Sequence, residues 1–210
     1  MKNGMLSLDL TGTLATHKFC DAVWFDGLPR LYAVKNAIPL EEAREYLKKN
    51  YDEIGDEAVE WYDIKHWFNR FELGENWGQL LEDLSPHIEF YPEATEVLAE
   101  LGQWYDLVLI TNASREFVEV ETASIKKYFS QIISSVSDFG EVKKTPEFYA
   151  RVCRFLGQDP RDLIHVGDHW QFDFVAPRGA GITAFYLDRA RKLTGDFILY
   201  DLSELKSNLL

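Results

Sequence analysis

Three aspartates and a pair of lysines sit where this 210-residue chain could do chemistry. Asp9 follows the apolar run Met5-Leu6-Ser7-Leu8 and leads into Leu10-Thr11-Gly12-Thr13. Asp168 ends the run Leu163 to Gly167, and Asp173 stands five residues further on. Thr111-Asn112 ends a third run, and Lys143-Lys144 precedes Thr145-Pro146. Brought together, the carboxylates would offer hard oxygen ligands of the kind that suit Mg²⁺ with several waters retained. A lysine point charge and free backbone N–H groups would hold a phosphoryl group. A carboxylate nucleophile beside them could attack phosphorus and divide a hydrolysis into two easier steps. Without the cation and the lysine, that anionic nucleophile would repel an anionic substrate.

The apolar runs that must position these residues read as buried strands at 5–10, 105–110, 131–136, 163–168 and 182–187, with a short one at 197–200. Between them lie helices at 92–102, 114–128 and 146–157, two of them with Pro at the start and Gly past the end. Strand–helix alternation implies right-handed crossovers and a parallel sheet with helices on both faces. The expected fold is therefore a doubly wound, Rossmann-like α/β sheet in two pieces, 1–15 and 90–210. Residues 16–89 form a helical insert after the first strand. In such sheets a ligand binds outside the carboxyl ends of the strands, at the switch point. The insert holds Trp24, Trp61, Trp67 and Trp77, four of the six tryptophans, as expected of a small helical bundle that needs large apolar side chains. One or two of them would be free to line a pocket.

Composition narrows the partners. With 22 Lys plus Arg against 35 Asp plus Glu, the net charge is −13. Such a surface repels nucleic acid and anionic membranes, so an anionic ligand needs a local positive site. No apolar stretch reaches the ~18–20 residues of a membrane span, and the N-terminal residues lack a signal-peptide pattern. A cytoplasmic protein with two buried free thiols, Cys20 and Cys153, is expected. His165, inside a strand, reads as a core histidine. His17, at the entry to the insert, and His169, beside Asp168, are further candidates for substrate contact. Lys35 and Lys65 are weaker candidates in the insert.

The four segments, in order, resemble the four motifs of the haloacid dehalogenase superfamily. Asp9-Leu10-Thr11-Gly12-Thr13-Leu14 resembles Asp-x-Asp-Gly-Thr-Leu, and Leu109-Ile110-Thr111-Asn112 resembles the second motif. Lys143-Lys144-Thr145-Pro146-Glu147-Phe148-Tyr149 resembles the Lys-Pro-Asp-Pro-Glu-Ile-Phe form of the third. His165-Val166-Gly167-Asp168, then Asp173 and Ala180-Gly181-Ile182, resembles the fourth. The insert matches the position of a helical C1-type cap. The resemblance implies a hydrolase with Asp9 as the nucleophile that becomes an aspartyl-phosphate. It implies Mg²⁺ held by Asp9, the Thr11 carbonyl and Asp168, with Asp173 behind. Thr111, Asn112 and Gly12 would contact the phosphoryl group, and Lys143 would neutralise its charge, leaving Lys144 at the surface. The implied substrate is a small phosphorylated or phosphonate metabolite.

One position departs from the pattern. The phosphatases of that superfamily carry a second Asp two residues after the nucleophile, and here that place is Thr11. General acid–base help is worth roughly 10²–10⁴ in rate, or ~3–5 kcal/mol of barrier. Three readings follow: a Mg²⁺-dependent phosphohydrolase working without that acid, a metal-free haloacid dehalogenase-like enzyme, or a catalytically impaired binding or regulatory protein. The second needs an arginine for the substrate carboxylate, with Arg30 and Arg115 as candidates. Oligomeric state is left open.

Overall fold

The computed structural model describes residues 2–209. The apolar runs become β1 (Met5–Leu8), β2 (Asp106–Thr111), β3 (Gln131–Ser134), β4 (Leu163–Gly167), β5 (Thr183–Leu187) and β6 (Ile198–Leu199). They pair in one parallel sheet of order β3-β2-β1-β4-β5-β6. The insert contributes α1 (Lys18–Asp21), α2 (Leu28–Asn36), α3 (Leu40–Ile54), α4 (Ile64–Arg70) and α5 (Trp77–Leu84), with a π-helical segment Ala22–Gly27 joining the first two. The remaining helices are α6 (Ala94–Leu101), α7 (Arg115–Glu121), α8 (Ser135–Phe139), α9 (Pro146–Leu156), α10 (Ala176–Gly179) and α11 (Ser203–Leu209).

Successive strand residues point to opposite faces, and both faces here are covered. Leu6, Leu8, Leu107, Leu109, Val166 and Phe185 pack with α6 and α11. Val108, Ile110, Ile133 and Leu163 pack with Phe148, Tyr149 and Val152 of α9. A sheet covered on both sides explains why its strands read as apolar runs without alternation. Leu8 lies opposite Leu109 on one side and Val166 on the other. The end of β1 therefore sits between the ends of β2 and β4, where the strand order reverses.

Several elements end short of the sequence reading, β1 at Leu8 among them, and two do so for a visible reason. The strand expected over 131–136 stops at Ser134, whose hydroxyl accepts from the Ser137 N–H at 3.0 Å and starts α8. The helix expected over 114–128 ends at Glu121, where the Thr122 hydroxyl bonds back to the Val118 carbonyl at 2.7 Å. Hydroxyls compete with regular backbone pairing in both cases.

The insert has its own core of Phe19, Leu28, Leu47, Ile64, Trp67 and Phe68, which packs on Phe117 of α7. Its entry and exit run side by side: the Thr16 N–H donates to the Glu89 carbonyl at 2.8 Å, and the Tyr91 N–H to the Leu14 carbonyl at 2.9 Å. Two exposed ion pairs also cross between the insert and the sheet layers, Lys65–Glu116 and Lys143–Glu57, the second with its N–O distance at 2.6 Å. At the joint with α7 lies Glu121, only 1% exposed. Neither of its carboxylate oxygens has a hydrogen-bond partner among the described residues. Burial pushes its pKa up to about 8.

Candidate active site

Strand pairing carries Asp9 straight out of β1, its N–H donating to the Val166 carbonyl at 3.0 Å. Asp168 follows the last residue of β4, and Asp173 lies in the π-helical segment Trp170–Val175 just beyond. One oxygen from each of these carboxylates lies within 4.8 Å of the others. The lysine among them is Lys144. Its Nζ bonds Asp173 Oδ1 at 2.6 Å and Asp9 Oδ1 at 2.8 Å, and it is 3% exposed. Lys143, the expected lysine, points outward to Glu57. The reason is a tight turn: the Thr145 N–H donates to the Lys143 carbonyl at 2.9 Å, closing a three-residue turn centred on Lys144. Thr145 then caps α9 by accepting from the Phe148 N–H at 3.2 Å. The residue just before the cap faces inward and the one before that faces solvent.

Glycine makes room for the carboxylates. A Cβ on Gly12 would lie 2.1 Å from Asp168 Oδ2, and φ at Gly12 is +88°. A Cβ on Gly167 would lie 2.4 Å from the Asp173 carboxyl carbon. Gly12 was expected to contact phosphate, but its N–H donates to the Ala15 carbonyl at 2.7 Å. Its contribution is space and a positive φ that other residues adopt only at a cost.

Asp173 is the best-satisfied acid of the cluster. Burial alone would raise its pKa, but Lys144 and His165 outweigh that and hold it low. Its Oδ2 accepts from the His169 N–H at 3.0 Å. His165 is fully buried and burial lowers its pKa, so the ring is neutral. Its ring is held on both sides: Nε2 lies 3.0 Å from the Tyr149 hydroxyl and 3.3 Å from Asp173 Oδ1, and Nδ1 lies 2.8 Å from the Ser7 hydroxyl, while Tyr149 donates to the Phe172 carbonyl at 3.0 Å and Ser7 to the Ile164 carbonyl at 3.1 Å. The core histidine read from the sequence is thus also the strut behind Asp173. Asp9 and Asp168 behave differently. Burial comes first and neighbouring carboxylates second in raising both pKa values. Three acids around one lysine leave excess negative charge in a buried place. An all-oxygen donor set with that imbalance fits a small divalent cation such as Mg²⁺.

A cavity of about 360 Å³ opens over these carboxylates. Thr11, Thr111, Asn112, His17 and His169 line it. The Thr111 hydroxyl oxygen accepts from the Ala113 N–H at 3.2 Å, leaving its proton to donate. Asn112 is held by the Ser135 hydroxyl, which donates to Oδ1 at 2.7 Å. The His169 ring stacks on Phe172 with centroids 4.1 Å apart. Thr11 and Cys20 line the cavity together, and burial first and the Glu121 charge second push up the Cys20 thiol pKa. Arg115 does not reach the cavity. It pairs with Asp138 and donates to the Ile132 carbonyl at 3.3 Å. Arg30 is spent on Asp26 at 2.6 Å. The insert supplies the rest of the wall: Trp24, Trp61 and Tyr62 line the cavity together with Phe117 and Phe172. Nothing in sequence periodicity separates these lining rings from core rings such as Trp67.

Known proteins place this arrangement in context. A haloacid dehalogenase-like hydrolase family profile matches residues 6–181. GMP/IMP nucleotidase YrfG of Escherichia coli (strain K12) is 22% identical over 164 residues, which is 77% of this chain and 72% of that protein. N-acylneuraminate-9-phosphatase of Rattus norvegicus is 28% identical over 100 residues, covering 47% of this chain and 40% of the relative. Among solved structures, a HAD phosphatase from Thermococcus onnurineus superposes with a TM-score of 0.81 at 24% identity, covering 100% of this chain and 98% of that one. A 2-haloacid dehalogenase from Pseudomonas syringae pv. Tomato DC3000 superposes at 0.68 with 22% identity, covering 100% and 98%. At these identities the structural likeness establishes the fold alone. The family match spans most of the chain and includes the ends of β1, β2 and β4, so the chain belongs to the haloacid dehalogenase-like hydrolases.

Proposed function

We propose that this hydrolase is a Mg²⁺-dependent phosphatase for a small phosphorylated metabolite, with Asp9 as nucleophile. The observation that carries the proposal is the bridge from Lys144 Nζ to Asp9 and Asp173, set beside Asp168 at the sheet's switch point. Relatives named as a nucleotidase and a phosphatase support a phosphate ester as substrate. Residues 16–89 then act as a cap, closing the cavity with their aromatic side chains.

In this reading Lys144 fixes one oxygen of Asp9 and leaves the other to attack phosphorus. The O–P bond forms as the ester oxygen departs. The Thr111 hydroxyl and the Asn112 side chain hold the phosphoryl oxygens. Asp9, Asp168 and the Thr11 carbonyl would hold Mg²⁺, with Asp173 behind them. When bound, the ion would neutralise charge on the phosphoryl oxygens. Thr11 cannot protonate the departing alkoxide at neutral pH, so one imidazole of the wall, that of His17 or His169, supplies that proton. Water then releases phosphate from Asp9.

The dehalogenase reading loses support because Arg30 and Arg115, its candidate carboxylate ligands, are committed elsewhere. The test is phosphate release from p-nitrophenyl phosphate with Mg²⁺ and with EDTA, alongside halide release from 2-chloropropionate. Phosphate release that EDTA abolishes is expected. Halide release in EDTA, or no phosphate release at any Mg²⁺ concentration, would overturn the reading.

A further inference from the structure

The aromatic part of the cavity wall carries a pattern of its own. Trp24 and Phe117 stack with centroids 5.1 Å apart, Trp61 lies 6.4 Å from Trp24, and Tyr62 lies 4.9 Å from Trp61. These rings make one continuous aromatic face along the cavity. Asp21 and Asp56 line the same cavity. Among the described residues neither has an ion-pair partner. Both act on the aromatic wall and its neighbours: after burial, the Asp56 charge is what raises the Tyr62 hydroxyl pKa, and the Asp21 charge adds to the rise at Cys20.

The complementary charge is missing from the lining. Lys144 is the only Lys or Arg lining the cavity among the described residues, and Asp9 and Asp173 occupy it. Lys143, close by in sequence, is paired with Glu57. The imidazoles of His17 and His169 serve the ester oxygen, so a leaving group bearing a carboxylate or a second phosphate would meet Asp21, Asp56 and ring faces with no Lys or Arg to neutralise it. A neutral leaving group would leave Asp21 and Asp56 unused. An organic cation meets both features, since ring faces attract alkylammonium groups electrostatically and the carboxylates balance the charge. Hydrophobic walls with a few placed charges also match a cavity near the small end of the ~300–1,000 Å³ range of ligand sites.

We propose that the substrate is the phosphate ester of a small amino or quaternary-ammonium alcohol. Its cationic end would rest on the Trp24, Trp61 and Tyr62 face, with Asp21 and Asp56 beside it. This rests on the phosphatase reading above. It also explains how a chain of net charge −13 could select one phosphate ester over the many that carry further anionic groups.

The experiment compares phosphocholine, its uncharged carbon isostere 3,3-dimethylbutyl phosphate, and 2-carboxyethyl phosphate, with p-nitrophenyl phosphate as a general control. We expect kcat/KM for phosphocholine to exceed that of the isostere by about tenfold, with the carboxylate ester slowest. In the double variant Asp21→Asn, Asp56→Asn the ratio of cationic to neutral ester should shrink by about threefold or more. A second measurement needs no turnover: choline should quench tryptophan fluorescence at lower concentration than 3,3-dimethylbutanol does. If p-nitrophenyl phosphate is hydrolysed but the isostere equals or beats phosphocholine, the cation site is wrong while the phosphatase reading stands. If choline binds selectively and no ester is hydrolysed, the cation site stands and the phosphatase reading falls.

Discussion

Glu121 makes the folded protein pH-sensitive in a direction opposite to that of a salt-bridged acid. Its carboxyl is 1% exposed, has no hydrogen-bond partner among the described residues, and its pKa rises from 4.5 to about 8 on burial. Between those values the folded state holds a proton that the unfolded chain has lost. Unfolding free energy then falls as pH rises, by about 1.4 kcal/mol per unit, from near pH 5 until it levels above pH 8. At pH 7 the accumulated loss is about 3 kcal/mol, from the 2.5 units separating pH 7 from the unfolded value of 4.5. Glu121→Met keeps the shape of the side chain while removing the charge and both unpaired oxygens. Its advantage over the wild type should grow from under about 1 kcal/mol of pH-dependent gain at pH 5 to about 3 kcal/mol at pH 7. With a urea slope of ~2 kcal/mol/M, the second figure displaces the midpoint by ~1.5 M. The assay is urea unfolding of both proteins at half-unit pH steps from 5 to 9, with the m-values compared. Parallel stability curves would refute the reasoning, because they would mean that the carboxyl is ionised in the fold at no cost.

Other outcomes follow from the site. Lys144→Met leaves Asp9 and Asp173 without their buried counter-charge and should destabilise the protein by ~3 kcal/mol or more. Lys143→Met, which removes only an exposed pair, should stay within ~0.5 kcal/mol; thermal melts and phosphate release of the two variants test the assignment together. Thr11→Asp restores the acid of the superfamily pattern; because an imidazole of the wall already supplies the proton, phosphatase turnover should change by less than about tenfold, and a gain of roughly 10²–10⁴ would show that no acid serves the wild-type site. Gly12→Ala places a methyl group 2.1 Å from Asp168 Oδ2 at a φ of +88°, so loss of stability by ~1 kcal/mol or more and a weaker Mg²⁺ requirement curve are expected in melts and activity titrations.

Much of this was readable in one dimension because strands buried on both faces leave apolar runs, and the residues after those runs are the ones that meet. Asp9, Thr111, Asn112, Asp168 and Asp173 all lie where that logic puts them. Lys144 was not readable, since aligning on Pro146 selects Lys143 and only the turn through Thr145 decides which lysine faces inward. Arg115 follows the second motif closely enough to suggest a ligand, yet Asp138 at the end of β3's short helix claims it. The aromatic wall was hidden for another reason. Trp24 and Trp67 have the same chemistry and similar surroundings in sequence, both end up buried, and only the folded packing decides which ring also lines the cavity.

The central place of β1 has a consequence for how the chain acquires activity. β1 is the first strand made, yet its partner β4 begins at Leu163, and Ser7 bonds the Ile164 carbonyl across a separation of 157 residues. Its other neighbour, β2, begins only at Asp106. Contacts so distant along the chain form late and slowly, because loop closure must precede them. During synthesis an apolar segment waits unpaired while the helical insert can already gather its own core. Asp9, the nucleophile of the proposed function, is therefore translated near the beginning and meets its partners near the end, so nascent chains stopped before Asp168 should lack the assembled site.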